Sequence, residues 1–157
     1  MTRREIAIDY FKQGYNCSQA VLLAFQDLTG LTTEQTALVA SSFGGGMGKL
    51  REVCGAVSGM FMAIGLIKGY KDPTDFDSKA EHYKRIQELA AKFKAQNGSI
   101  ICRELLSGEF SGHAPVSSSE ISSSTPPSKR TAEYYKKRPC GEFVGDAAEI
   151  LEAYLKI

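Results

Sequence analysis

Four cysteines, Cys17, Cys54, Cys102 and Cys140, are the residues of this 157-residue chain best suited to chemistry. Each begins an apolar stripe written at helical spacing. Cys17 leads Ala20, Val21, Ala24, Phe25 and Leu28, and Cys140 leads Phe143, Val144, Ala147, Ala148 and Leu151. Cys54 leads Val57, Ser58, Phe61 and Met62, while Cys102 leads Leu105 and Leu106. This periodicity predicts four inward thiols at four helix starts. A helix start presents unpaired amide N–H groups and a partial positive charge, which favour thiolate over thiol and so favour nucleophilic attack or metal ligation. The alternative is that each cysteine packs as a small, inert hydrophobe.

Two kinds of sulfur chemistry fit the pattern. In one, two thiol pairs cycle between dithiol and disulfide, with the attacking sulfur held as thiolate by its helix end and by Arg51, Arg103 or Arg138. In the other, Cys17, Cys54, Cys102 and Cys140 together hold a metal ion or an iron–sulfur cluster. The long spacings exclude a zinc ribbon, whose ligands come as close C-x-x-C pairs, but allow a cluster assembled by packing. Other chemistry is thinly supported. His82 lies among the charges of a long helix and reads as solvated, His113 falls in a loop, and no G-x-S-x-G motif is present. Glu52 and Glu104 stand two residues from cysteines, as candidate proton relays or plain surface carboxylates.

Those thiols must be positioned by helices. The pattern predicts a helix from Arg3 to Lys12 and a second capped by Asn16 and running to near Gly30. It predicts a third capped by Thr32 or Thr33, with Gln35 placed for a capping box with Thr32, running to Ser41 or Ser42. An almost wholly apolar helix from about Glu52 to Lys68 carries small residues at Gly55, Gly59 and Ala63, which allow close approach of a neighbour. A longer helix follows from about Pro73 to Asn97, with Phe76, Ala80, Tyr83, Leu89, Ala90 and Phe93 on one face; left exposed, that face would make a homodimer. Ser99 caps a short helix carrying Cys102, and Pro139 suits the first turn of the last helix. No segment alternates as a strand does. The expectation is an all-α, single-domain bundle of about six or seven helices over residues 1–157.

Two segments break the helical texture. Gly44, Gly45, Gly46 and Gly48 are too glycine-rich for regular structure and are candidate cofactor-binding backbone. A phosphate loop would need glycine at Phe43 and serine or threonine at Leu50, so a backbone lid over Cys54 fits better. The serine- and proline-rich stretch from about 108 to 130 has no apolar anchors and is expected to be a mobile loop, either a surface insertion or a lid over the thiols.

Composition narrows the classes further. There are 19 basic and 18 acidic residues, a formal charge of +1, so nothing favours nucleic acid or an anionic membrane as partner. The apolar run from Val53 to Ile67 is shorter than the roughly 20 residues that span a bilayer. Met1-Thr2-Arg3-Arg4-Glu5-Ile6 leads straight into a helix without a leader-like apolar run. The expected location is the cytoplasm, where separated cysteines serve as metal ligands or reversible redox pairs rather than as a permanent disulfide framework.

The ordered motifs resemble a known family. Phe43-Gly44-Gly45-Gly46-Met47-Gly48 followed by Val53-Cys54-Gly55-Ala56-Val57-Ser58-Gly59 resembles the bacterial and archaeal family named for its C-GCAxxG-C-C pattern, with Val-Cys-Gly-Ala here in place of Gly-Cys-Ala. Tyr15-Asn16-Cys17-Ser18-Gln19-Ala20-Val21 is similar to its opening motif, Cys102-Arg103-Glu104-Leu105-Leu106 to its third, and Cys140-Gly141-Glu142-Phe143-Val144 to its last. The resemblance implies a small redox-active protein whose four cysteines are the functional residues, working with a redox partner that the motifs do not identify.

Overall fold

The computed structural model describes residues 1–157 and is built entirely from helices and turns. Helix α1 (Arg3–Lys12) starts on a capping box between Thr2 and Glu5, α2 (Cys17–Leu23) on one between Asn16 and Gln19, and α4 (Thr33–Ala40) on one between Thr32 and Gln35. Each reciprocal pair satisfies amides that a helix start leaves free, which fixes where the helix begins. The single helix expected from Asn16 to Gly30 is broken at Phe25, whose φ of −117° leaves helical geometry before the one-turn α3 (Gln26–Thr29). That break buries Phe25 completely and turns Leu28 outward.

After a 3-10 turn at Ser41–Phe43 come the glycine turn α5 (Gly44–Met47), α6 (Gly55–Lys68), α7 (Phe76–Asn97), α8 (Cys102–Ser107), α9 (Ser118–Ile121), α10 (Ala132–Lys137) and α11 (Cys140–Leu155). Six of these helices have seven residues or more, in line with the expected bundle. The fold is all-α; its only extended pairing is a lone antiparallel bridge between Val53 and Ile101.

One contiguous core of 26 buried residues runs between α1, α2, α6, α7, α8 and α11. Helix α11 buries Phe143, Val144, Ala147, Ala148 and Leu151, the stripe that Cys140 heads. Helix α1 lies along α11, held by Arg4, whose guanidinium meets Glu142 and Asp146 at 2.6 Å. Helices α2 and α6 cross at the small residues. A Cβ on Gly59 would stand 2.6 Å from the Ser18 carbonyl oxygen, and one on Gly55 would stand 3.0 Å from Cys17 Cβ. No helix is long and apolar enough to cross a membrane.

Helix α7 departs from its expected face. Leu89 and Phe93 are buried, but Phe76 is 76% exposed and Tyr83 is half exposed, so the core-facing side of this long helix does not continue through its first turns. His82, read as solvated, is instead buried, with Nδ1 lacking a hydrogen-bond partner. The tyrosine rings account for part of this: Tyr70 packs against both His82 and Tyr83.

The α2–α6 crossing yields a paired test. Gly59→Val forces atoms into the Ser18 backbone and is expected to destabilise the protein by about 1–3 kcal/mol. Gly65→Ala, where a Cβ meets nothing within 4 Å, is expected to stabilise it by about 0.5–1 kcal/mol. Urea unfolding under reducing conditions reads both; a tolerated Gly59→Val would mean that the helices do not cross there.

Candidate functional site

All four cysteines stand at helix starts. Cys17, Cys102 and Cys140 are the first residues of α2, α8 and α11, and Cys54 is the N-cap of α6. Packing brings these starts together, so that all four cysteines line one cavity of about 350 Å³. Cys54, Cys102 and Cys140 are buried, Cys17 is half-buried, and none is in a disulfide.

Cys54 and Cys102 are placed by backbone. The Cys54 N–H donates to the Ile100 carbonyl at 2.8 Å and the Cys102 N–H to the Glu52 carbonyl at 2.6 Å, on either side of the Val53–Ile101 bridge. In an antiparallel pairing this register puts Cys54 and Cys102 diagonally on one face. The expected Ser99 cap is not used in the usual way: Ile101 is the N-cap of α8, and the Ser99 hydroxyl accepts from Ile101 N–H and donates to Glu104.

The glycine run makes a left-handed turn. Gly45, Gly46, Met47, Gly48 and Lys49 all have φ between 61° and 69°, and Arg51 follows at 60°. For residues with a Cβ this conformation costs roughly 1–2 kcal/mol each, so the glycines make the turn feasible. It also brings backbone close to sulfur, since a Cβ on Gly46 would lie 2.6 Å from Cys102 Cβ. Gly44, Gly45, Gly46 and Gly48 all line the cavity. The strained Lys49 and Arg51 point their side chains toward it as well, and both are buried.

Cys17 and Cys140 perturb each other in opposite directions. The Cys17 thiol hydrogen-bonds Cys140, which holds Cys140 down to about 6 from an ordinary 9.0, assisted by the Arg138 and Arg51 guanidiniums against the opposing effect of burial. Cys17 is raised well above its ordinary value by the same hydrogen bond and by burial. The mutual effect alone does not say which sulfur is the anion; Arg138, which hydrogen-bonds Cys140, decides it. Cys54 is pushed far up, chiefly by burial, although the Ala56 and Val57 amides face its sulfur. Cys102 is raised by burial, with Arg51 opposing through an Nη1–Sγ contact of 3.6 Å. Cys140 is thus the one cysteine of the four whose ionisation the site favours.

The serine-rich segment lies across this cavity. Arg51 donates from Nε to the Ile121 carbonyl at 2.9 Å and from Nη2 to the Glu120 carbonyl at 2.7 Å. Lys49 Nζ donates to the Thr125 hydroxyl and carbonyl and to the Pro126 carbonyl. Arg138 reaches the Glu120 carboxylate and the Ser128 hydroxyl. Ser123, Thr125, Pro127 and Ser128 consequently form part of the cavity wall.

Of the arginines expected near sulfur, Arg51 and Arg138 are there, whereas Arg103 pairs with Glu52 at the surface. Glu104 is engaged with Ser99, so neither candidate carboxylate relay faces the cavity. Tyr134 and Lys49 were not legible as site residues. Tyr134 lies beneath Arg130 and Arg138, each guanidinium 5.0 Å from its ring centre, and its hydroxyl is raised by burial and by the neighbouring Cys140 and Cys17. The Tyr134-Tyr135 doublet between two arginines was the available signal.

The donor set for a metal or iron–sulfur cluster was tested on the same geometry. Four cysteines share the cavity, but no three His, Cys, Asp or Glu side chains converge to hold a metal ion. The Arg51 and Arg138 guanidiniums share the wall with the sulfurs, Arg51 against Cys102 at 3.6 Å, and cations set among the donors do not fit a bound metal.

The family described as "Putative redox-active protein (C_GCAxxG_C_C)" matches residues 15–154, a span that contains all four cysteines. No curated protein and no solved structure matches the chain.

The ionisation pattern gives a pH signature. Cys140, depressed in the fold, contributes stability that is present above its unfolded value near 9 and lost as pH falls through about 6. Cys17, Cys54 and Cys102 are raised, so their contribution is intact below 9 and lost above it. Urea unfolding in excess reductant should therefore show the stability advantage of the native protein over Cys140→Ser growing from pH 6 to 9. A constant difference over that range would mean that Cys140 is not a stabilised thiolate.

Proposed function

The chain belongs to the C_GCAxxG_C_C family, and from that premise we propose that it is a thiol–disulfide redox protein in which Cys140 attacks and Cys17 resolves. The observation that carries this reading is that Cys17 and Cys140 begin α2 and α11 on one cavity wall, with Arg51 and Arg138 in the same wall, an arrangement that lowers Cys140 and raises Cys17. A thiolate with a value near ambient pH is both populated and nucleophilic. Cys140 Sγ attacks one sulfur of a disulfide substrate; the substrate S–S bond breaks, and the departing thiolate takes a proton from solvent. Cys17, losing its proton to solvent, then attacks Cys140 Sγ and displaces the second half of the substrate as thiolate. Two protein thiols have become one disulfide, and one substrate disulfide has become two thiols. The Cys54–Cys102 pair returns the first pair to dithiol by exchange and becomes the disulfide in its place, and a dithiol of a redox partner then reduces that disulfide by a second exchange; Cys54→Ser blocks this repeated turnover with only modest loss of stability.

The segment from Ser117 to Ser128 acts as the lid on this chemistry, and the stretch from about 108 to 130 is the mobile part of an otherwise single domain. Its attachments are carbonyls held by Lys49 and Arg51, the Glu120 and Ser128 side chains at Arg138, and Val116 and Ile121 packed against the core. Trypsin is expected to cut first after Lys129, which is exposed, rather than within α6, α7 or α11.

The order of attack is tested by trapping. With a small disulfide, Cys17→Ser should accumulate a mixed disulfide at Cys140, seen as one added half-molecule by mass spectrometry. Cys140→Ser should accumulate none at Cys17 and should react at least about tenfold more slowly at pH 7, because a thiol with a high value supplies little thiolate. Trapping at Cys17 in preference to Cys140 would reverse the assignment.

A further inference from the structure

Four cations line the thiol cavity, and no carboxylate does. Lys49, Arg51, Arg130 and Arg138 are all in its wall, and the wall contains neither aspartate nor glutamate. Three of them are nearly buried: Lys49 is 8% exposed, Arg51 7% and Arg138 9%. Burying a cation is costly unless an anion compensates it. Here the compensation is incomplete. The partners of Lys49 and Arg51 are chiefly lid carbonyls and a hydroxyl, which satisfy N–H groups but carry no charge. Arg130 likewise donates to the Phe11 and Tyr15 carbonyls and lies over the Phe11 ring at 4.2 Å. The only carboxylate in reach, Glu120, sits at the rim with its side chain half exposed and contacts Arg138 alone.

The cations also repel one another. Lys49 is lowered by burial and by the nearby Arg51 and Arg138. One thiolate at Cys140 does not balance them. A net positive, largely enclosed wall concentrates anions and raises their rate of arrival, by roughly ten- to a thousandfold in clefts of one sign. The cavity volume of about 350 Å³ falls in the range of small-molecule sites, roughly 300–1,000 Å³, and is too small for a folded protein partner to enter.

We propose that this cavity is a substrate site for small anionic disulfides, with Lys49, Arg51 and Arg138 receiving the acidic groups while the disulfide bond lies against Cys140. The acidic groups take over the donors that now hold the lid carbonyls, so binding and lid release are one event. The proposal rests on the dithiol reading for its chemistry; its charge preference does not.

The test is a charge series. The reduced protein is mixed with dithiodipropionate, which carries two carboxylates, with neutral bis-hydroxyethyl disulfide, and with dicationic cystamine, and loss of free thiol is followed. Dithiodipropionate should react about tenfold or more faster than the neutral compound and cystamine more slowly, with the spread narrowing at high salt. Lys49→Gln, whose side chain touches no sulfur, should reduce the anionic-to-neutral rate ratio. Equal rates, or a reversed order, overturn the proposal and leave the dithiol reading standing. If no disulfide oxidises the protein, the dithiol reading fails, and suberate, a dicarboxylate of matching length without sulfur, decides the rest by calorimetry. Binding that weakens in Lys49→Gln supports the anion site, and no binding overturns it.

Discussion

The Cys17–Cys140 hydrogen bond is the interaction on which the rest of the site turns. It needs two helix starts in contact, a donor thiol on one and an anionic sulfur on the other, and a guanidinium to fix which is which. Arg138 supplies the last element two residues before Cys140, where Pro139 begins the turn into α11. Burial opposes the charge on Cys140, and the hydrogen bond and the arginines overcome that opposition. Elsewhere in the same cavity burial wins, and Cys54 and Cys102 remain thiols. Four residues of one type thus acquire different chemistry from their neighbours alone.

The architecture around this pair serves close approach. Gly55 and Gly59 let α6 press on α2, which sets Cys54 beside the start of α2, and the Val53–Ile101 bridge carries Cys102 to the same wall. The left-handed turn from Gly45 to Lys49 then folds backbone over Cys102 and sends Lys49 and Arg51 into the cavity. Three non-glycine residues at positive φ, Met47, Lys49 and Arg51, are a sizeable local cost, and such strain persists where surrounding structure over-determines it; for Lys49 and Arg51 the surroundings are identifiable. Here the surroundings are the lid carbonyls, which hold both side chains in place.

Much of this was legible in the residues, for identifiable reasons. The Asn16 cap and the Thr32–Gln35 capping box are local signals, and each begins a helix where the residues place it. The stripes headed by Cys17 and Cys140 pointed inward because a helical period needs no knowledge of the partner. What depended on the partner was not legible. The break at Phe25, the exposure of Phe76 and Tyr83 and the burial of His82 follow from how much of each helix its neighbours cover. The pairing of Cys17 with Cys140, across the whole chain, is set by packing of α1, α2 and α11. Composition described the segment after Gly108 as lacking apolar anchors, but Val116 and Ile121 pack against the core, and further attachments use backbone carbonyls, which composition does not register.

Disulfide mapping tests the account most directly. The reduced protein is oxidised with one equivalent of a small disulfide and quenched with acid at the earliest times, before onward exchange to Cys54 and Cys102; remaining thiols are blocked, and the linked peptides are identified by mass spectrometry. A first disulfide joining Cys17 to Cys140, with Cys54 and Cys102 recovered blocked, is the predicted result. A first disulfide between any other two of the four cysteines, or four blocked thiols after exhaustive oxidation, would contradict it.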